Sequence, residues 1–285
     1  MNSINTLRRE WKNNLSILVN ETEENLLICS PYVTHEGTEF LVLNLSQNLR
    51  SNGELTFVTD LSPSNIIQGS TNPDALRKLS DSVDRFTIIH IPRLHAKVYV
   101  GDFKRAIITS GNLTAGGLML NYEYGLEIVE YSLVEIVRND ITNYAALGAT
   151  ITLDKLVTYC QAASKLHDVF DQQQASTNRA LQKEFKRILR EVEDELIRLR
   201  LTEGAVHTVF AKTILYLLKL YGSLSTKQLH TMIESMHPDL CDDTIDRVID
   251  GKRFGKKWKH AIRTAQQHLK NQGLIKLNDK LWALT

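Results

Sequence analysis

Cysteine is scarce in this chain of 285 residues: three in all, Cys29, Cys160 and Cys241. An odd number of thiols set far apart excludes a disulfide framework, and their spacing suggests no zinc cluster. Long apolar runs are missing too. No stretch approaches the roughly 18 consecutive apolar residues needed to span a bilayer, so no membrane segment is expected. The first residues, MNSINTLRREWKNN, carry charge where a secretory signal needs an apolar run, which makes the cytoplasm the expected location. Net charge is nearly absent as well, with 34 Lys plus Arg against 33 Asp plus Glu. No metal site stands out, and no cofactor is expected.

Apolar residues at 42% and charged residues at 24% are ordinary for a folded globular protein and argue against disorder. The near-neutral total hides an asymmetry. Residues 203–285 hold 13 basic against 8 acidic side chains, and residues 1–202 hold 21 against 25. From Gly251 to Asn278 there are eight basic residues and no acid. Such a run is commonly a solvated face, but a basic stripe is also the electrostatic footprint of phosphate-backbone binding.

Chemistry concentrates in LHAKVYVGDF, where His95, Lys97 and Asp102 follow the order His, one residue, Lys, four residues, Asp. LHAKVYV is rich in β-branched and apolar residues and reads as a strand, which places His95, Lys97 and Tyr99 on one face. Asp102 falls in the turn after Gly101. Arg105 to Thr109 reads as the returning strand, and Ser110 and Asn112 lie just past its end. Lys97, Ser110 and Asn112 can offer donors to a phosphodiester as charge grows on its oxygens. A neutral imidazole, with an unperturbed pKa of about 6.5, is a competent nucleophile at physiological pH.

This constellation, His95, Lys97, Asp102, Ser110 and Asn112 followed by the segment NYEYGLEIVE, resembles the signature of the phospholipase D superfamily. The resemblance covers roughly residues 26–130. Thr109 stands where that family often has glycine before the serine. The resemblance implies a histidine nucleophile that passes through a phosphohistidine, a downstream glutamate that orients it, and a structural role for Asp102 in its turn. Glu123 matches the family's glutamate position, and Glu127 is held in reserve. Most members carry two motifs, one histidine attacking and the other protonating the leaving oxygen. Here there is one: of the other histidines only His268 has a lysine at the right offset, Lys270, and Ile275 stands where the aspartate belongs. By the same resemblance an active protein is a homodimer that brings two His95 side chains across a two-fold axis, and single-motif members are mostly nucleases.

Along the chain, ENLLICSPYVT reads as a buried strand and Gly37 to Arg50 as an amphipathic helix. GELTFVTDL follows as a strand, PDALRKL as a short helix and FTIIHI as a strand. The alternation predicts an α/β fold, and with the resemblance a phospholipase-D-like mixed sheet flanked by helices, over residues 1–150. Residues 151–202 turn to long helices, a helical connector in which Leu181, Phe185, Ile188, Val192, Leu196 and Leu199 make one apolar stripe. That stripe suits either a dimer seam or packing on the first domain.

Residues 203–285 read as a separate domain. An apolar helix, AVHTVFAKTILYLLKLYG, is followed by a second one opened by a capping box at Ser225 to Gln228. A basic helix comes next, with Trp258, Ile262, Ala265 and Leu269 on its apolar face, then Gly273 as C-cap and two short strands in LIKLNDKLWAL. Three helices and a hairpin make a winged helix, and the string resembles the winged-helix domain at the N-terminus of Mrr-type restriction enzymes. Candidate DNA contacts are Lys252, Arg253, Lys256, Lys257, Lys259 and Arg263.

The expectation that follows is a metal-independent DNA endonuclease, with a part in restriction or anti-phage defence implied by analogy alone. RNA stays open as a substrate, because nothing in the chain reads the 2′-hydroxyl. Two other classes are weighed beside it: a phospholipid phosphodiesterase, and a non-catalytic DNA-binding regulator on a decayed catalytic fold.

Overall fold

The computed structural model describes residues 3–174, 179–201 and 205–285, at 171–174 and 179–181 as helical backbone alone. The side chain of Leu181 and the expected boundary at 202–203 lie outside the described residues. The chain divides into two compact units, Met1–Arg200 and Leu201–Thr285.

The first unit runs β1 (Ile4–Leu7), α1 (Lys12–Glu21), β2 (Asn25–Cys29), α2 (His35–Asn44), α3 (Gln47–Ser51) and β3 (Glu54–Thr59). It continues with α4 (Pro63–Ile67), α5 (Pro73–Ser80), β4 (Arg85–His90), β5 (Val98–Gly101) and β6 (Arg105–Thr109). A π-helical turn, Gly116–Leu120, precedes β7 (Gly125–Ile128), α6 (Tyr131–Ala145), β8 (Ala149–Ile151), α7 (Leu153–Gln174) and α8 (Arg179–Arg200). The eight strands form one mixed sheet in the order β1-β7-β6-β5-β2-β3-β4-β8. β2, β3 and β4 are parallel to one another, and the other pairings are antiparallel.

Because successive strand residues face opposite ways, the central strands β2, β3, β5 and β6 feed two cores. Ile28, Leu55, Phe57, Tyr99 and Ile107 join the core built with α1, α2, α5, α7 and α8. Leu27, Cys29, Val58, Val98 and Ala106 pack on the other face under Val134 and Ile141 of α6. Ile188, Val192, Leu196 and Leu199 of α8 are buried in the first of these cores. Of the two uses open to that stripe, the structure shows packing within its own unit, each buried aliphatic contributing about 1.5–3 kcal/mol.

Three local expectations change. The helix expected over Gly37 to Arg50 is two, because the Ser46 hydroxyl accepts from Leu49 N at 3.1 Å and starts α3 afresh. The strand expected over LHAKVYV begins only at Val98. A turn closed by Leu94 N donating to Ile91 O at 3.4 Å, with Arg93 at φ 61°, delays it. And the basic run does not start on a helix. Lys252, Arg253 and Lys256 lie on a strand, since Asp250 and Gly251 at φ 49° and 74° reverse the chain, as Asp-Gly does in hairpin turns that need positive φ at both central positions.

The second unit runs α9 (Val206–Tyr221), β9 (Ser223–Ser225), α10 (Thr226–Met236), β10 (Asp246–Ile249), β11 (Lys252–Lys256), α11 (Lys257–Asn271), β12 (Ile275–Asn278) and β13 (Leu281–Leu284). Ser225 and Gln228 make the capping box of α10. Phe210, Ile214, Leu229, Ile233, Trp258, Ile262 and Leu269 form the buried centre of its three long helices. A small antiparallel sheet, β12-β13-β9, closes one side through Ile275 and Trp282. β10 and β11 form a separate hairpin between α10 and α11.

Candidate active site

The strand register brings the candidate residues to one edge of the sheet. Cys29 at the end of β2 pairs with Val98 at the start of β5, which pairs with Ile108 near the end of β6. Thr109, the last residue of β6, pairs with Gly125, the first of β7. The segments holding His95 and Lys97, Ser110 and Asn112, and Glu123 therefore leave the sheet side by side. Thr109 N donates to Lys97 O at 3.1 Å, which carries the pairing one step beyond the regular strand.

His95 has an exposed side chain in the segment between the Ile91–Leu94 turn and β5. Its backbone is held from both sides. Upstream, the buried Asp60 carboxylate accepts from Arg93 N at 3.0 Å, fixing the turn in its left-handed conformation. Downstream, Lys97 Nζ donates to His95 O at 2.8 Å. Lys97 is only 7% exposed. Burial pulls its pKa below the usual lysine value, although Glu123 and Cys29 pull it upward. The neighbouring Cys29 thiol is pushed up to about 12 by burial, with Lys97 opposing, so it is a neutral wall and no rival nucleophile.

Ser110 and Glu123 form a connected pair. The Ser110 hydroxyl donates to the Glu123 carboxylate and accepts from Tyr124 N at 3.1 Å, while Ser110 N donates to Tyr124 O at 3.0 Å. Asn121 Nδ2 donates to the other Glu123 oxygen at 3.1 Å. The carboxylate is engaged by Ser110 and Asn121, and no hydrogen bond joins it to the His95 ring among the described residues. The Asn112 side-chain oxygen is buried without a hydrogen-bond partner. Such a group costs free energy unless something else satisfies it.

Glu127, the reserve, is spent elsewhere. It is 3% exposed and accepts from Arg105 Nη1 at 2.7 Å and from the Asn5 and Asn14 amides at 3.3 and 3.2 Å. Asp102 sits at φ 49° and accepts from Glu23 N, Glu24 N and Asn25 N at 3.2, 3.0 and 2.9 Å. Burial pushes its pKa up, but these backbone donors and Lys104 outweigh it and hold the carboxyl below its usual range. All of these contacts tie β5 to the start of β2.

Residues the sequence reading passed over support the loop after β6. Trp11, 1% exposed, donates from Nε1 to Gly117 O at 2.7 Å. Its ring lies so close to Gly111 that a Cβ there would come within 2.6 Å. Tyr99 packs on the same indole, centroids 5.4 Å apart, and donates to Gly111 O at 3.2 Å. No local periodicity links residue 11 to a loop a hundred residues away; Gly111 and Gly117 in the loop were the available signal. Thr109 fits because Gly125 lies opposite: a Cβ on Gly125 would meet the Thr109 Cβ at 2.8 Å. The Thr109 hydroxyl accepts from Gly111 N at 3.2 Å and steadies the turn.

Residues 15–144 match the family model described as cardiolipin synthase, PLD-like domain. A comparison with curated proteins finds no relative. Solved structures of similar outline include Nuc, a phospholipase D family member from Salmonella typhimurium, at 14% identity and a TM-score of 0.43, covering 52% of this chain and 97% of that one. NucT from Helicobacter pylori is 14% identical with a TM-score of 0.39, covering 50% and 95%. A phosphatidylserine synthase from Haemophilus influenzae is 17% identical with a TM-score of 0.42, covering 69% of this chain and 43% of that one.

Proposed function

We propose that this chain is a metal-independent nuclease that cleaves DNA phosphodiesters through a phosphohistidine at His95. The observation that supports the reading is the strand register that sets the segments bearing His95 and Lys97, Ser110 and Asn112, and Glu123 side by side at one sheet edge, within residues that match a PLD-like family model. Lys97 supplies a partly desolvated cation, and Ser110 and Asn112 supply polar groups around the same anion. Glu123, already bonded to Ser110, orients the histidine once substrate draws the groups together, as catalytic hydrogen bonds often tighten only in the complex.

In the first step a ring nitrogen of His95 attacks phosphorus, the bond to the leaving oxygen breaks, and that oxygen takes a proton from a second acid. With one motif per chain, the acid is His95 of a second copy related by a two-fold axis. That second imidazole then removes a proton from water, which attacks the phosphohistidine and releases the other half of the strand as a phosphate ester. Both histidines return to their starting protonation states.

The C-terminal unit is read as a winged helix that binds DNA. Its order of three helices with β9, β12 and β13 in one sheet suits that architecture, and Lys252, Arg253, Lys256, Lys257, Lys259 and Arg263 supply cations for the backbone. A role in restriction or anti-phage defence follows as analogy only.

The test is cleavage of single- and double-stranded DNA by the purified chain and by His95→Ala, with excess EDTA throughout, alongside RNA and phospholipid vesicles. Cleavage of DNA by the parent alone, with an acid-labile and alkali-stable phosphoprotein trapped during turnover, is the expected result. Turnover by His95→Ala, or of vesicles and no nucleic acid, overturns it.

A further inference from the structure

The hairpin of β10 and β11 stands where a plain three-helix unit needs only a turn, and all its residues from Arg247 to Gly255 are exposed. Val248, Ile249 and Phe254 are 57%, 43% and 50% exposed. A lone two-stranded ribbon is marginal in water, so something must fasten it. At its base Lys257 N donates to Ile245 O at 2.9 Å, and Asp246 pairs with Lys256 at 3.0 Å and Arg253 at 3.6 Å. His260 of α11 joins ribbon to helix: Arg247 Nη1 donates to its Nδ1 at 3.1 Å, which leaves Nε2 to donate to Phe254 O. The ribbon is thus held out from the unit as one piece with α11, its apolar side chains uncovered.

Between the ribbon and α11 lies an open cleft of about 520 Å³. Arg247 lines it from the ribbon, and His260, Arg263, Thr264, Gln267 and Asn271 line it from the helix. No carboxylate lines it among the described residues. From Asp246 to Arg263 there are seven basic residues against two acids, Asp246 and Asp250, and Asp246 is already paired twice. A surface of cations and hydrogen-bonding amides suits a polyanion whose edges offer acceptors. A DNA major groove admits either an α-helix or a two-stranded ribbon.

We propose that the β10–β11 ribbon is a second DNA-contacting arm, which acts with α11 to grip duplex DNA against the cationic face that the two share. Lys252 and Arg253 near the ribbon tip meet backbone phosphates, Arg247 and Arg263 reach into the cleft, and Phe254 supplies apolar contact at the groove. The inference rests on the reading of the C-terminal unit as DNA-binding, and it adds an element that a three-helix unit with one wing lacks.

The experiment is fluorescence anisotropy with a labelled DNA duplex across a salt series, using the full chain carrying His95→Ala so that substrate survives. Onto that parent are placed Lys252→Glu with Arg253→Glu, Arg247→Ala, Phe254→Ser and, as a control on α10, Lys227→Glu. Arg247 and Arg253 also help to fasten the ribbon, so circular dichroism checks the fold of each variant, and Phe254→Ser, which removes none of those contacts, keeps the arm testable if either of the others unfolds. Expected are a loss of affinity of roughly tenfold or more for the double reversal, with a salt slope shallower by about two, since each lost phosphate contact lowers the slope by about one. The control should stay within about twofold. Ribbon variants that bind like the parent overturn the arm and leave the DNA reading standing. A parent that binds no duplex overturns both. Ribbon variants that change the association state of the chain while binding DNA normally would show that a second copy covers the ribbon, which also overturns the proposal.

Discussion

Lys97 is the residue whose environment makes the sharpest claim about chemistry. The residue is nearly buried, and desolvation draws its pKa down from 10.5 against the opposing pull of Glu123 and Cys29. A lysine with a lowered pKa becomes neutral at a lower pH than an ordinary one. If its cation must meet the phosphate, kcat/KM falls on the alkaline side sooner than a solvent-exposed lysine would dictate. Arginine keeps its charge above pH 12, so Lys97→Arg should move that alkaline limb upward while lowering the plateau, because a fork does not fit a site shaped for a point charge. A pH–rate profile of both proteins decides the matter. Coincident alkaline limbs would mean that another group titrates there and that Lys97 binds no reacting phosphate. That Lys97 and Ser110 lie at neighbouring strand ends was legible at this scale because a short return strand sets it; the strand alternation expected to align His95 with Lys97 was not realised, since β5 begins only at Val98. The engagement of Glu127 was not legible, because Glu127 and Glu123 lie four residues apart in a largely extended segment and only partners distant in sequence, Arg105, Asn5 and Asn14, distinguish Glu127.

Among the elements, α8 shows how a pattern can be read and its partner left open. An apolar stripe at helical spacing states that one face is covered, and says nothing of what covers it. Ile188 and Val192 are 2% and 1% exposed inside the core that also holds Leu156 and Leu166 of α7. Ile188→Ala should therefore cost about 2–5 kcal/mol of stability, the usual range for emptying a buried aliphatic site, measured by denaturant unfolding. Its association state by light scattering should not change. Dissociation of a dimer with unfolding unaltered would instead make the stripe a seam between copies. Other elements escaped the sequence for physical reasons. β1 is four residues with three exposed, too short to show a period. β11 was absorbed into a charge run, although Asp250-Gly251 marked the turn before it.

For the whole molecule, the decisive question is whether one chain can complete the reaction. A phosphohistidine cycle needs an attacking imidazole and an acid for the leaving oxygen, and the single motif offers one histidine per chain. Three neighbours of His95 at the sheet edge are poorly suited to be that acid: the Lys97 ammonium is turned to His95 O, the Cys29 thiol is pushed up to about 12, and Glu123 is bonded to Ser110 and Asn121. Two copies around a two-fold axis would supply both roles from the same residue. Wild-type and His95→Ala chains, unfolded together and refolded at equal amounts, should then keep only about one quarter of the fully wild-type activity, because mixed dimers lack one of the two imidazoles. Chains that act alone, or dimers whose sites are independent, would keep about one half. Activity near one half would place the acid within the chain itself and turn the search to the groups that flank Asp60 and Glu123.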